Sequence, residues 1–232
     1  MLAIREKGFL LVLFCSLYAC APDTVKELPS TPVTIEEPME LDSSTVSCMA
    51  LHYQYTNHKK FLNWTNGADS LRRAYGLENQ TILRIIDDTT RVLELLTIND
   101  ILRGHEFANS DALKTMADTS GFIGTPTVYL LNAVHMEKKK VGATCMLLQH
   151  DVRDFKEWRS GFEEYSAQND DENLKALCIF NTYQDPRKVS VLMEIQNLEM
   201  AKELVSSPET IAMMRAMGAT TDPKMTLLEV WR

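Results

Sequence analysis

Sliding the chain along itself by 97 positions lays residues 48 to 134 onto residues 145 to 231 without a gap. Seventeen of the 87 superposed pairs are identical, among them Cys48/Cys145, Met49/Met146, Leu51/Leu148, Ile82/Ile179, Val92/Val189, Gly121/Gly218, Pro126/Pro223 and Leu130/Leu227. Unrelated sequences of ordinary composition would share roughly 5. Most of the matched residues are apolar or belong to turns, so the shared content is a packing plan. A chain of 232 residues could hold one domain or two by length alone. The repeat predicts two copies of one small domain.

The first 20 residues are of a different kind. Arg5 and Lys7 precede an apolar run, Gly8 to Leu17, of about ten residues, too short to span a bilayer core of roughly 30 Å as a helix. That pattern predicts an export signal, residues 1–19. Leu17-Tyr18-Ala19-Cys20 resembles the bacterial lipobox, which implies lipidation of Cys20 and cleavage just before it. The expected address is therefore a bacterial cell envelope, with the protein held to a membrane by acyl chains such as palmitate.

Residues 20–46 carry Pro22, Pro29, Pro32 and Pro38, half of the chain's prolines, with six acids against Lys26. Such a segment cannot bury a core and is expected to act as a solvated tether. The whole chain has a formal net charge of −8, which gives no electrostatic footprint for nucleic acid. Lys138-Lys139-Lys140 falls in the expected linker, residues 135–141, between repeats at 47–134 and 142–232. Past Cys20 only Cys48, Cys145 and Cys178 remain. Three thiols leave at least one unpaired, and the absence of Cys-x-x-Cys removes the simplest redox and zinc signatures.

Within a repeat the order of elements can be read from period and capping. Ser47 to Tyr55 and Thr144 to Val152 are apolar runs of strand length. Asn57 and Asp154 stand where a helix N-cap is needed. Aromatics then recur at helical spacing, Phe61, Trp64 and Tyr75 in one copy and Phe155, Trp158, Phe162 and Tyr165 in the other. Two further strand-like stretches follow in each copy, Thr81 to Ile86 with Arg91 to Ile98, and Cys178 to Tyr183 with Lys188 to Ile195. Asn99 and Asn197 are expected to start a second helix, which Ser110-Asp111 and Ser207-Pro208-Glu209 restart. Gly121 and Gly218 end it, and a last strand follows Pro126 and Pro223. The fold class expected is α+β: two tandem ferredoxin-like βαββαβ units. A sheet with both helices on one face must hide the other, and two copies can hide each other in a pseudo-dimeric α/β barrel.

His150-Asp-Val-Arg-Asp-Phe-Lys-Glu-Trp158, the Asp185-Pro186 turn and the Ser207-Pro208-Glu209 helix start resemble the small antibiotic-biosynthesis-monooxygenase-like domains of the dimeric α/β-barrel superfamily. The resemblance covers residues 143 to 232 directly and 47 to 134 through the repeat. It implies the barrel fold. For chemistry it implies only a range, since members include monooxygenases, haem-degrading enzymes, isomerases and domains with no assigned reaction. The haem-degrading relatives use an Asn, Trp and His set; Trp64 and Trp158 belong here to helix stripes and Trp231 ends the strand region.

His150 is the leading candidate for a catalytic or ligand-binding side chain, because a neutral imidazole at a strand end can move a proton near neutral pH. Its competing reading is a hydrogen-bonded structural histidine. Tyr53 takes the matching position in the first copy, and Asn181 and Tyr183 add polar groups to strands of the second. His52 is one position out of phase with Tyr53 and faces the other way. Parity alone does not say which face lines the lumen. No metal-ligand grouping, phosphate loop or nucleophile elbow is present, so no metal and no cofactor are expected. The function expected is an envelope-anchored lipoprotein module binding a small apolar ligand or a partner. A cofactor-independent monooxygenase or isomerase, with His150 as base and Tyr183 or Asn181 orienting an enol or phenol, is the alternative. An intramolecular pseudo-dimer removes the concentration cost of assembling separate subunits, so a monomer is expected.

Overall fold

A computed structural model describes residues 45–136, 143–168 and 174–231. The expected signal, Cys20, the tether and the Lys138 to Lys140 run lie outside the described residues. The first half consists of β1 (Val46–Gln54), α1 (His58–Gly67), α2 (Asp69–Ala74), β2 (Leu77–Ile85), β3 (Arg91–Ile98), α3 (Ile101–Ala108), α4 (Asp111–Thr119) and β4 (Thr127–Met136). The second consists of β5 (Thr144–Asp151), α5 (Phe155–Gln168), β6 (Leu174–Thr182), β7 (Lys188–Ile195), α6 (Leu198–Ser206), α7 (Pro208–Ala216) and β8 (Lys224–Val230). All eight strands close into one antiparallel barrel in the order β1-β3-β2-β8-β5-β7-β6-β4. Each half contributes one run of four neighbours, β4-β1-β3-β2 and β8-β5-β7-β6. Closure removes sheet edges, which otherwise present unpaired backbone groups.

Local chemistry accounts for most element boundaries. Asn57 accepts from the Lys60 amide at 3.0 Å and Asp154 from the Glu157 amide at 2.8 Å, so both first helices start at the expected caps. The second helix of the first half departs by one residue. Asp100, rather than Asn99, caps α3 by accepting from the Leu102 amide, while Asn99 donates to Glu78. The restarts at Ser110 and Ser207 hold, each hydroxyl accepting from the amide three residues on. β2 and β6 begin earlier than their apolar runs suggested, and β4 continues through Ala133 to Met136, two residues into the expected linker. The extension is explained by pairing: β4 lies between β1 and β6 and exchanges backbone bonds with both.

Strand alternation separates two environments. Odd positions of β1, Met49, Leu51 and Tyr53, pack with Phe61, Phe107 and Leu113 beneath the helices. In the second half Met146, Leu148 and Val152 pack with Trp158, Val205 and Met214 in the same way. The opposite faces of both halves meet inside the barrel, where Cys48, Leu93, Leu131, Cys145, Leu147, Phe180, Leu192 and Leu228 form a third cluster. Several identical pairs of the repeat, such as Cys48/Cys145 and Leu131/Leu228, therefore sit where the halves face each other. The halves also exchange residues outside the barrel. Trp231, after β8, donates its amide to Ile82 and stacks on Phe61 of the first half at 5.2 Å.

Candidate functional site: the barrel mouth

Alternation also decides which face lines the lumen: it carries His52 and Gln149, not Tyr53 and His150. At the end of the barrel reached by the C-termini of β1 and β5, the lumen opens into a cavity of about 450 Å³. Its floor is apolar, formed by Ala50, Leu93, Leu95, Leu131, Leu147 and Phe180. Its rim is polar and includes His52, Tyr129, Gln149, Thr182, Lys188, Ser190 and Lys224, with Thr221 and Asp222 from the loop before β8. That volume and that split between an apolar body and a few polar groups are those of a small-molecule site.

His52 is the best-placed titratable side chain of this mouth. Its ring meets Tyr129 edge-on at 5.4 Å between centroids. Burial first, then the positive charges of Arg91 and Lys224, push its pKa down to about 4, so at neutral pH it is an uncharged donor and acceptor. Gln149 points its amide at Ser190 at 3.4 Å. The lumen thiols are inert in comparison, with burial pushing Cys48 and Cys145 up to about 12 and Cys178 up to about 11. Among the described residues no group of three or more His, Cys, Asp or Glu side chains is arranged to hold a metal ion.

The four side chains singled out from the sequence fall on the helix-covered face instead. His150 borders the cavity but is only 5% exposed, and its ring lies edge-on to Trp158 at 5.2 Å. Neither ring nitrogen has a hydrogen-bond partner, nor does Trp158 Nε1. Burial holds the His150 pKa at about 4, against a weaker opposing pull from Asp151. Asn181 accepts from Asn132 at 3.1 Å within the β4 and β6 pairing. Tyr183 packs against the first-half core. His150 and Tyr183 are thus not brought together.

Tyr53 is drawn into a second polar assembly, fully covered by α1 and α2. It donates to Glu94 of β3, which also accepts from Gln80 at 2.6 Å and pairs with Arg72 of α2 at 2.9 Å. The Arg72 guanidinium lies 4.9 Å from the centre of the Trp64 ring and donates to the Thr65 carbonyl at 3.0 Å. The corresponding positions of the second half are apolar, Val191 for Glu94 and Leu177 for Gln80. Side-chain period alone does not single out Glu94 and Arg72. The available signal was one carboxylate inside an otherwise apolar strand, Arg91-Val-Leu-Glu-Leu-Leu96.

No protein-family model and no curated protein matches the chain. Solved structures do. A candidate monooxygenase from Fusobacterium nucleatum superposes with a TM-score of 0.51 at 12% identity, covering 82% of this chain and 94% of its own. A candidate monooxygenase from Lactobacillus acidophilus gives 0.54 at 10% identity, covering 80% and 93%. An anthrone oxidase-like protein gives 0.53 at 8% identity, covering 81% and 92%. The fold is therefore that of the dimeric α/β barrels, completed within one chain. At these identities the likeness concerns fold alone.

Proposed function

We propose that this protein is an envelope-anchored bacterial lipoprotein whose barrel mouth binds a small, largely apolar molecule. The observation that carries the reading is the cavity of about 450 Å³ with an apolar floor and a polar rim. The mature part is read as two copies of one ferredoxin-like unit. The ungapped repeat and the equivalent strand orders of the two halves support this. Joining the copies in one chain makes the working form a monomer, with the membrane contact made through the lipid on Cys20. Native mass spectrometry of the full-length protein tests ligand binding. A retained small molecule, lost when Leu147→Trp fills the floor, is the expected outcome; an empty protein unaffected by added apolar ligands would refute the reading.

A second reading, a cofactor-independent monooxygenase or isomerase, is favoured by one observation. His150 borders the cavity with two unpartnered ring nitrogens, and a buried polar group left unpaired calls for an explanation. On this reading His150 is the base that takes the substrate proton. Retained ligand that is unchanged in occupancy and identity in His150→Ala would leave His150 with no part in recognition or turnover.

A further inference from the structure

We infer that the molecule held in the barrel mouth is an apolar acid, with its anionic end set beside Lys224 and His52. This rests on the binding reading above and adds the chemical class of the ligand. The lumen-facing positions at the start of three strands are cationic: Arg91 on β3, Lys188 on β7 and Lys224 on β8. Lys188 and Lys224 line the cavity, and Arg91, the position equivalent to Lys188 in the repeat, acts on His52 as a nearby positive charge. Two carboxylates, Asp151 and Asp222, line the same mouth, so what matters is which cation they leave uncompensated.

The acids of the rim are already engaged. Asp151 lies 3.6 Å from the Lys188 ammonium, and Asp222 lies 2.7 Å from Arg215. Arg91 has Asp88 as a neighbouring charge. Among the described residues no carboxylate forms an ion pair with Lys224, although it registers opposite Gln149 at the cavity edge. A carboxylate entering here meets the Lys224 ammonium and finds neutral donors in the His52 ring, the Gln149 amide and the Ser190 hydroxyl. The floor offers only hydrocarbon and the Phe180 ring. An acid with a compact apolar body fits both ends, whereas a cationic ligand would meet uncompensated positive charge.

The test uses full-length protein in neutral maltoside micelles and two probes with one apolar body, 1-naphthoate and 1-naphthylmethanol. Apparent Kd is read from ligand-dependent thermal shifts. Naphthoate is expected to bind at least about fivefold more tightly than the alcohol, and Lys224→Glu to remove that preference while leaving the alcohol unchanged. Equal affinities, a preference for the alcohol, or a preference that survives Lys224→Glu would overturn the inference while the binding reading stands. Equal weakening of both probes by Lys224→Glu would also overturn it, since Lys224 would then shape the pocket and not read charge. If neither probe shifts the transition, the binding reading itself fails and the inference falls with it.

Discussion

Tyr53 of β1 donates its phenolic proton to Glu94 of β3, one strand away, in a space from which both are shut off from water. The equivalent pair in the second half is His150 and Val191, where the donor remains and the acceptor has gone. At this position the first half pairs its buried phenol, and the second leaves an imidazole without a partner beside the cavity. The two halves thus treat equivalent sequence positions in opposite senses.

The buried network should be a source of stability that is sensitive to which member is removed. Glu94→Ala strands the Arg72 guanidinium in a dry environment and is expected to cost about 3–5 kcal/mol in urea unfolding. Tyr53→Phe leaves Arg72 and Gln80 on Glu94 and should cost only about 1 kcal/mol. Burial raises the Glu94 pKa despite the opposing pull of Arg72. A raised carboxyl contributes stability below its unfolded value, about 4.3, and that contribution is lost as pH rises through the folded value. Glu94→Gln, compared with wild type from pH 4 upward, should lack this decline.

The two histidines have the opposite sign. His52 and His150 are both pushed down to about 4, so their contributions are complete above the unfolded value near 6.5 and vanish as pH falls through 4. Replacing His150 by Leu removes two unpartnered nitrogens as well as the titration. The variant should match or exceed wild-type stability at pH 7 and exceed it by about 2–3 kcal/mol near pH 4. A loss of several kcal/mol at pH 7 in chemical unfolding would show that the ring makes a bond the packing conceals.

Gly121 and Gly124 provide a matched comparison of backbone and space. Both have left-handed φ, +74° and +71°, but a Cβ at Gly121 would lie 3.2 Å from Asn57 Cβ whereas Gly124 has nothing within 4 Å. Gly124→Ala should cost about 1 kcal/mol from backbone strain alone. Gly121→Ala should cost more, because the N-cap residue of α1 must also move. Equal midpoints in thermal unfolding would contradict this.

Anchoring through Cys20 predicts that metabolic labelling with a fatty-acid analogue marks the wild type and misses Cys20→Ser. Equal labelling of the two would refute the lipobox reading. The two forms should also separate on fractionation, since multiple acyl chains retain a protein far more firmly than one.

The legibility of the site differed from that of the fold for a physical reason that Tyr53 and His150 illustrate. Alternation placed each on the face opposite His52 or Gln149, yet it carries no information about which face a helix will cover. That depends on how the halves close, which is a relation between residues about 100 apart. Glu94 and Arg72 were obscured for a similar reason: each looks like an ordinary solvated charge until a strand and a helix from different parts of the chain bury them together.

By itself the sequence determined the local order of strands and helices and their caps at Asn57, Asp154, Asn197, Ser110 and Ser207. These follow from side-chain period and from hydroxyl, carboxyl and amide oxygens that satisfy nearby backbone N–H groups. Only the tertiary structure decided that eight strands close into a single barrel, that β4 runs on to Met136, and that His52 and Lys224 reach the mouth while His150 lies against Trp158. Closure is set by pairing between β2 and β8 and between β4 and β6. No local residue preference encodes those pairings, because they are chosen by the apolar surface that the two halves can remove from water only together.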